Sequence, residues 1–372
     1  NWLDANTLLG MRPIKILASV PLFYRKRIIT KMGKPKQPAF KSVDTPYLVT
    51  KNSGAILDGV ITSREGESMV GPIIVFAHGT LSSANHNFTD ELTQKLSNEL
   101  GLRSFRFNFR FDKSEAEPDH RYKFSGYDDD VSDLEAVVKT LRADGYSPWC
   151  FFGHSRGSND VLLYATKHTS EEAMNPDDEC KSDSATDPAH RFEANKIALV
   201  VTAPRFDMAR MSTTIFTPEQ LATVQETGSC VWPTQRGDLL LTKEDLEVTD
   251  TKMDMGKVVE TLPSAVPILL LHGTDDELIP VEDAHQFKKA RTSIDVSIID
   301  GARHAFRGKK QNKALLSVVI EWLDSTYSKM SFDQFNHRAP DREDITPLRL
   351  VLPNAQLALL VVWSFLAGFS ER

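Results

Sequence analysis

Pro148-Trp149-Cys150-Phe151-Phe152-Gly153-His154-Ser155-Arg156-Gly157 is the stretch that decides the fold. Its first five residues are apolar and aromatic, as a buried strand is, and Val161-Leu162-Leu163-Tyr164-Ala165 just beyond suits a buried helix. Ser155 therefore stands where a strand turns sharply into a helix, the setting of a nucleophile elbow. Gly153 and Gly157 fit that setting physically. The turn strains the backbone at the serine and brings strand and helix so close that a Cβ on either side would clash.

A serine hydroxyl is a poor nucleophile near neutral pH, so it needs a histidine to take its proton and a carboxylate to orient that histidine. Residues 266–271 read as another buried strand, which ends in His272-Gly273-Thr274-Asp275-Asp276-Glu277-Leu278-Ile279-Pro280. An acid at the C-terminal end of a strand points into the crevice where open α/β sheets bind ligands. Spacing alone leaves both Asp275 and Asp276 as candidates. Residues 294–299 form the last strand and lead into Asp300-Gly301-Ala302-Arg303-His304. His304 is the natural base because it follows a strand, whereas His285 sits in a helix-like stretch and His337 in the polar tail. His78 and His272 read as structural loop residues bonded to backbone.

On these residues the chain resembles the α/β-hydrolase superfamily, nearest in style to its small esterases and serine aminopeptidase-like members such as the cinnamoyl and feruloyl esterases. The resemblance covers about residues 47–328, and the chain order Ser, Asp, His is that of this superfamily. It implies an α/β fold: a doubly wound, mostly parallel sheet with helices on both faces and a small lid insertion. Its His-Gly-x-x-Asp-x-x-Val-Pro pattern aligns with residues 272–280 and selects Asp276. It also implies an oxyanion hole made by the backbone N–H groups of Thr80, in the loop after the apolar run 73–77, and of Arg156. A serine at the elbow implies acyl transfer to water from a small-molecule ester or acyl substrate, carboxylic esters first and thioesters next, with no metal and no cofactor. A serine peptidase acting on short peptides and a hydrolase-like binding protein without turnover are the alternatives. Two departures from the family stand out. Arg156 occupies a position where many of its esterases carry Gln, and Asp112-Lys113-Ser114 stands where many have a Gly-x-Ser turn.

Composition sets the outer bounds. With 372 residues, 41% apolar and 26% charged, the chain has the balance of a globular protein with room for one large α/β domain. A net charge of -7 argues against a nucleic-acid binder. Cys150, Cys180 and Cys230 are far apart in sequence, which speaks against a zinc site or redox pair and favours a reducing compartment. The expected localisation is cytoplasmic. Between positions 11 and 42, however, the chain carries lysines and arginines and no acid, so a mitochondrial or plastid transit segment is the alternative to a solvated basic arm.

The expected organisation is a basic arm over 1–44, a hydrolase domain over 45–328 and a tail over 329–372. Runs 47–50 and 55–62 predict an opening hairpin, 87–100 a helix, 102–110 a strand, 127–141 a helix and 197–202 a strand. Residues 169–195 read as an acidic loop insertion. Residues 205–262 read as a lid, whose Phe206, Met208, Met211, Phe216, Val231 and Trp232 either line an acyl pocket or pack the lid onto the core. The apolar segment 357–369 is shorter than the roughly 20 residues needed to span a bilayer. Its readings are packing on the domain or membrane contact.

Overall fold

The computed structural model describes residues 41–330, apart from 69, 87, 111–122, 170–191 and 235–236. The basic arm up to residue 40, Asp112-Lys113-Ser114, most of the acidic insertion, His337 and the apolar segment 357–369 lie outside the described residues.

The alternation of apolar runs folds into strand and helix as its spacing predicts. β1 (Ser42–Thr50) and β2 (Ile56–Arg64) pair as an antiparallel hairpin, followed by β3 (Gly71–Ala77). Helix α1 (Thr89–Lys95) is continued to Leu100 by a wider turn and leads into β4 (Arg103–Phe107). Next come α2 (Tyr127–Ala143), β5 (Tyr146–His154), α3 (Arg156–Thr169) and β6 (Ala198–Thr202). The lid region then contributes α4 (Met211–Ile215), α5 (Pro218–Thr227), the hairpin β7 (Ser229–Thr234) and β8 (Gly237–Thr242), α6 (Lys243–Glu247) and α7 (Met255–Thr261). The chain returns to the sheet with β9 (Ile268–Gly273), α8 (Glu282–Ala290), β10 (Asp295–Ile299) and α9 (Lys309–Tyr327).

Eight strands form one sheet in the order β1-β2-β4-β3-β5-β6-β9-β10. β1 and β2 run antiparallel to their neighbours and the other contacts are parallel, the doubly wound arrangement expected. From β3 the chain goes first to one side, to β4, and then to the other, to β5. The strand order therefore reverses between β3 and β5, and a crevice opens there at the carboxyl ends of the strands. Under it the sheet is apolar throughout: Ile73, Ile74 and Val75 of β3 and Trp149, Cys150, Phe151 and Phe152 of β5 are buried. Val131, Leu134, Val137, Val138 and Leu141 form the buried stripe of α2. Each such side chain contributes about 1.5–3 kcal/mol on burial, so packing rather than intrinsic propensity holds the helix.

The hairpin begins earlier than predicted, at Ser42 instead of Tyr47. Polar contacts extend it. Asp44 accepts a hydrogen bond from the Thr62 hydroxyl (2.6 Å) and pairs with the buried Arg106 guanidinium (2.6 Å). Strand β4 stops at Phe107, short of Arg110. The lid hairpin β7–β8 was not anticipated from the sequence. No helix among the described residues is long and apolar enough to cross a membrane.

Candidate active site

Ser155 follows the last residue of β5 and precedes the first of α3, with φ at +55°, a left-handed conformation that is costly for a residue with a Cβ. Its N–H donates to the Thr202 carbonyl of β6 (2.8 Å), and its carbonyl accepts the Ser158 N–H (2.8 Å). The Ser158 hydroxyl in turn donates to the Thr202 carbonyl (2.9 Å) and accepts the Thr202 N–H (3.0 Å), so α3 is bolted to β6 at its first turn. The two glycines do what the sequence predicts. A Cβ on Gly153 would fall on the Gly157 carbonyl oxygen and the Ser158 Cα. One on Gly157 would fall on the Ala77 carbonyl oxygen and come within 2.6 Å of that of His78.

The structure brings Ser155, His304 and Asp276 together from the ends of β5, β10 and β9. His304 Nδ1 lies 2.8 and 3.0 Å from the two carboxylate oxygens of Asp276, and Nε2 lies 3.0 Å from Ser155 Oγ. An ionised carboxylate on one side holds the ring proton at Nδ1, which leaves Nε2 as acceptor for the serine hydroxyl. Asp276 Oδ1 also accepts the N–H groups of Leu278 and Ile279, both at 2.9 Å. Burial of the carboxyl raises its pKa, but the His304 hydrogen bond and charge, with the two backbone donors, outweigh this and bring it below the ordinary value. Asp275 points elsewhere. It is exposed, accepts the Thr274 hydroxyl (2.9 Å) and makes no contact with His304. His285 lies exposed on α8.

His78 and His272 serve the loops. His78 Nδ1–H donates to the Gly79 carbonyl (2.8 Å) and Nε2 accepts the Phe109 N–H (3.1 Å). His272 Nε2–H donates to the Ile279 carbonyl (2.9 Å) from beneath Asp276.

Ser155 and His304 open onto a cavity of about 560 Å³, within the range of small-molecule sites. Thr80 and Arg156 line it beside the serine. Gly79 packs directly against Ser155, since a Cβ there would sit 3.0 Å from that of the serine. Arg156 opens α3, so its N–H points out of the helix N-terminus. Its guanidinium is buried, donates to Asp130 (2.6 Å) and to the Phe124 carbonyl (2.7 Å), and lies 4.0 Å from the Tyr127 ring centroid. The lid residues divide. Met211 and Trp232 line the cavity; Phe216 joins Phe124 and Trp232 in an aromatic cluster; Phe206 packs on Phe287 and Met208 is in the core. Val231, 57% exposed, does neither. Among the described residues, no group of three or more His, Cys, Asp or Glu side chains is arranged to hold a metal ion.

The fold is similar to that of known structures. Est1E from Butyrivibrio proteoclasticus matches 76% of this chain and 99% of its own, with a TM-score of 0.55 at 17% identity. The esterase domain of a Rhodothermus marinus protein matches 76% and 98%, at 0.50 and 19%. This chain has the α/β-hydrolase fold. A puromycin-hydrolyzing peptidase from Mycobacterium tuberculosis also aligns, over 80% of this chain and 41% of its own, at 0.54 and 16%. No family model matches the chain.

Three residues around this α/β-hydrolase crevice carried no signal in the sequence. Glu277 accepts the His304 backbone N–H (3.2 Å) and pairs with Arg303 (3.0 Å), which fixes the histidine loop. The His154 ring lies 5.1 Å from that of His304, centroid to centroid, tilted at 41°. The Thr202 hydroxyl donates to the Gly153 carbonyl (3.0 Å), so His154 Nδ1–H donates to that hydroxyl (3.0 Å); burial and the neighbouring His304 hold the His154 pKa well below the ordinary value. Arg205 follows β6 and lines the cavity. Its place after a strand end is the one cue that could have found it.

Proposed function

We propose that the protein is a serine hydrolase that cleaves carboxylic esters through an acyl-enzyme on Ser155. The observation that carries this is the hydrogen-bonded series Ser155, His304, Asp276, with the serine hydroxyl facing the cavity. In this reaction the Ser155 oxygen attacks the ester carbonyl while its proton passes to His304 Nε2. The negative charge that develops on the carbonyl oxygen is met by the backbone N–H groups of Thr80 and Arg156. Each such donor is worth about a hundredfold to a thousandfold in turnover. His304 then gives the proton to the leaving alcohol as the C–O bond breaks. Water, losing its proton to the same nitrogen, attacks the acyl carbon, and the serine leaves with that proton restored. Asp276 remains ionised throughout and stabilises the imidazolium.

Similarity to the Rhodothermus marinus esterase domain supports the ester reading, and similarity to the puromycin-hydrolyzing peptidase supports a second one, hydrolysis of small amides. Labelling with a fluorophosphonate probe, followed by mass spectrometry to locate the adduct, tests the shared step. The expected adduct is on Ser155 and is absent from Ser155→Ala. A folded protein that stays unlabelled, or is labelled elsewhere, overturns the proposal. An aminoacyl amide turned over faster than its matched ester assigns the protein to the peptidase class.

A further inference from the structure

We infer that Arg205 is an anion-binding residue of the catalytic cavity, and that the ester cleaved there carries an oxyanion, a carboxylate or a phosphate. This rests on the Ser155 reading above and goes beyond it by naming the substrate class.

Arg205 is 5% exposed and lines the same cavity as Ser155. Its backbone is clamped to the nucleophile helix: its N–H donates to Asn159 Oδ1 (3.1 Å), and its carbonyl accepts from Asn159 Nδ2 (2.7 Å). Asn159 lies about one helical turn beyond Ser155. At the other end, Nη2–H donates to the carbonyl of Leu278 (2.7 Å), in the loop that carries Asp276. Arg205 is thus held between the helix that follows Ser155 and the loop that carries Asp276.

Five N–H donors are available on a guanidinium, and here the Leu278 carbonyl is the one side-chain acceptor partner among the described residues. No carboxylate of the described residues stands at ion-pair distance. The acids whose charge reaches it direct their hydrogen bonds elsewhere, and Asp283 Oδ1 has no partner among the described residues. Asp283 Oδ2 accepts the N–H groups of Phe206 (2.8 Å) and Asp207 (3.3 Å), and Asp276 holds His304, Leu278 and Ile279. Other buried arginines of this chain are answered differently. Arg106 pairs with Asp44 and Asp90, Arg156 with Asp130, and Arg291 is spread over the carbonyls of Val259, Leu262, Pro263 and Val266. A buried cation without a carboxylate in direct contact is costly, and its planar fork matches a carboxylate or phosphate. The acid of the cavity wall, Glu277, is paired with Arg303.

The test compares p-nitrophenyl pentanoate with p-nitrophenyl hydrogen glutarate, which share a chain length and differ by a terminal carboxylate. Wild type is expected to favour the glutarate ester in kcat/KM, chiefly through KM. In Arg205→Gln the ratio of glutarate to pentanoate ester is expected to fall by about tenfold to hundredfold, the worth of a charged hydrogen bond, with partial recovery in Arg205→Lys. Equal losses on both esters would mean a structural role and overturn the inference, as would a wild type that prefers the neutral ester. Calorimetric titration of monomethyl glutarate, and separately of ethyl phosphate, into Ser155→Ala needs no turnover. Binding that Arg205→Gln abolishes sustains the anion site even if neither ester is cleaved, in which case the hydrolase reading alone falls. Which compound binds tells a carboxylate from a phosphate, and binding of neither overturns the inference.

Discussion

Asp276→Asn is nearly isosteric, yet its consequence follows from three hydrogen bonds. Oδ1 sits under the N–H groups of Leu278 and Ile279, both at 2.9 Å, so the amide oxygen of an asparagine must take that place. The amide nitrogen is then turned to where Oδ2 lay, the nearer of the two oxygens to His304 Nδ1, at 2.8 Å against 3.0 Å for Oδ1. A donor in that position needs an acceptor, so the imidazole carries its proton on Nε2, and this N–H faces Ser155 Oγ across 3.0 Å. The base is lost, together with the charge that would stabilise an imidazolium. A carboxylate-to-amide change of this kind in a Ser-His-Asp triad lowers turnover about 10⁴-fold, or about 5 kcal/mol in the barrier. Asp275→Asn, at an exposed side chain bonded to Thr274, is expected to stay within about twofold of wild type. The assay is kcat/KM on a short-chain p-nitrophenyl ester together with the second-order rate of fluorophosphonate labelling. Thermal unfolding supplies an internal control. The Asp276 pKa is depressed, so its contribution to stability is present above the ordinary carboxylate value and disappears as pH falls through the folded value. Wild type and Asp276→Asn should therefore converge in Tm on acidification. An Asp276→Asn variant within tenfold of wild type, or an inactive Asp275→Asn, would refute this account of the site.

Gly157→Ala would drive a Cβ into the carbonyls of Ala77 and His78, at the end of β3 where the oxyanion loop begins. It is expected to cost about 1–3 kcal/mol by overpacking and, by displacing the elbow against Thr80, to slow Ser155 labelling about a hundredfold; a labelling rate close to wild type in a folded variant would show that the close approach is dispensable. Asp160 is fully buried on α3, and among the described residues neither carboxylate oxygen has a hydrogen-bond partner. Burial, and after it the charge of Asp130, push its pKa well above the ordinary value, so the folded state keeps a proton that the unfolded chain releases and stability is lost as pH rises past the ordinary carboxylate value. Asp160→Asn should accordingly raise Tm by a margin that widens with pH in thermal melts, and a margin that shrinks with pH would contradict the assignment.

Legibility in the sequence followed how much of each feature is local. The elbow was readable because a strand, a serine between glycines and a helix are contiguous, and the same holds for the sheet, whose strands are buried on both faces and appear as unbroken apolar runs. Asp276 could be told from Asp275 only through a family pattern, because adjacent residues share a loop and differ in direction, and direction is set by the N–H groups of Leu278 and Ile279. The start of β1 was missed because an exposed edge strand has no apolar alternation; Asp44 is held there by Arg106, distant in sequence. Glu277 and Arg205 were missed for the same reason. Each acts through contacts that exist only once β6, β9 and β10 lie side by side.

Backbone strain outlines the crevice independently of any motif. Among the described residues, four other than glycine adopt left-handed φ values: Leu81, Ser155, Ala203 and Phe306, at 54°, 55°, 49° and 51°. Each follows the carboxyl end of a parallel strand, β3, β5, β6 and β10 in turn. Such conformations cost about 1–3 kcal/mol apiece and persist only where the surroundings over-determine them. The surroundings here are specific. The Ser155 N–H is held by the Thr202 carbonyl, the Ala203 N–H by the Leu271 carbonyl (2.8 Å) and the Phe306 N–H by the Arg303 carbonyl (2.9 Å), while the turn at Leu81 is closed by Ser82 N–H on the Gly79 carbonyl (3.1 Å). Leu81 adjoins the donor proposed at Thr80, Ser155 is the proposed nucleophile, and Phe306 lies two residues past His304. Ala203 touches none of them. It precedes Pro204, whose ring further restricts the residue before it, and it turns the chain from β6 toward Arg205. Three strained turns thus serve the proposed acyl transfer, and the fourth delivers the guanidinium that would choose its substrate.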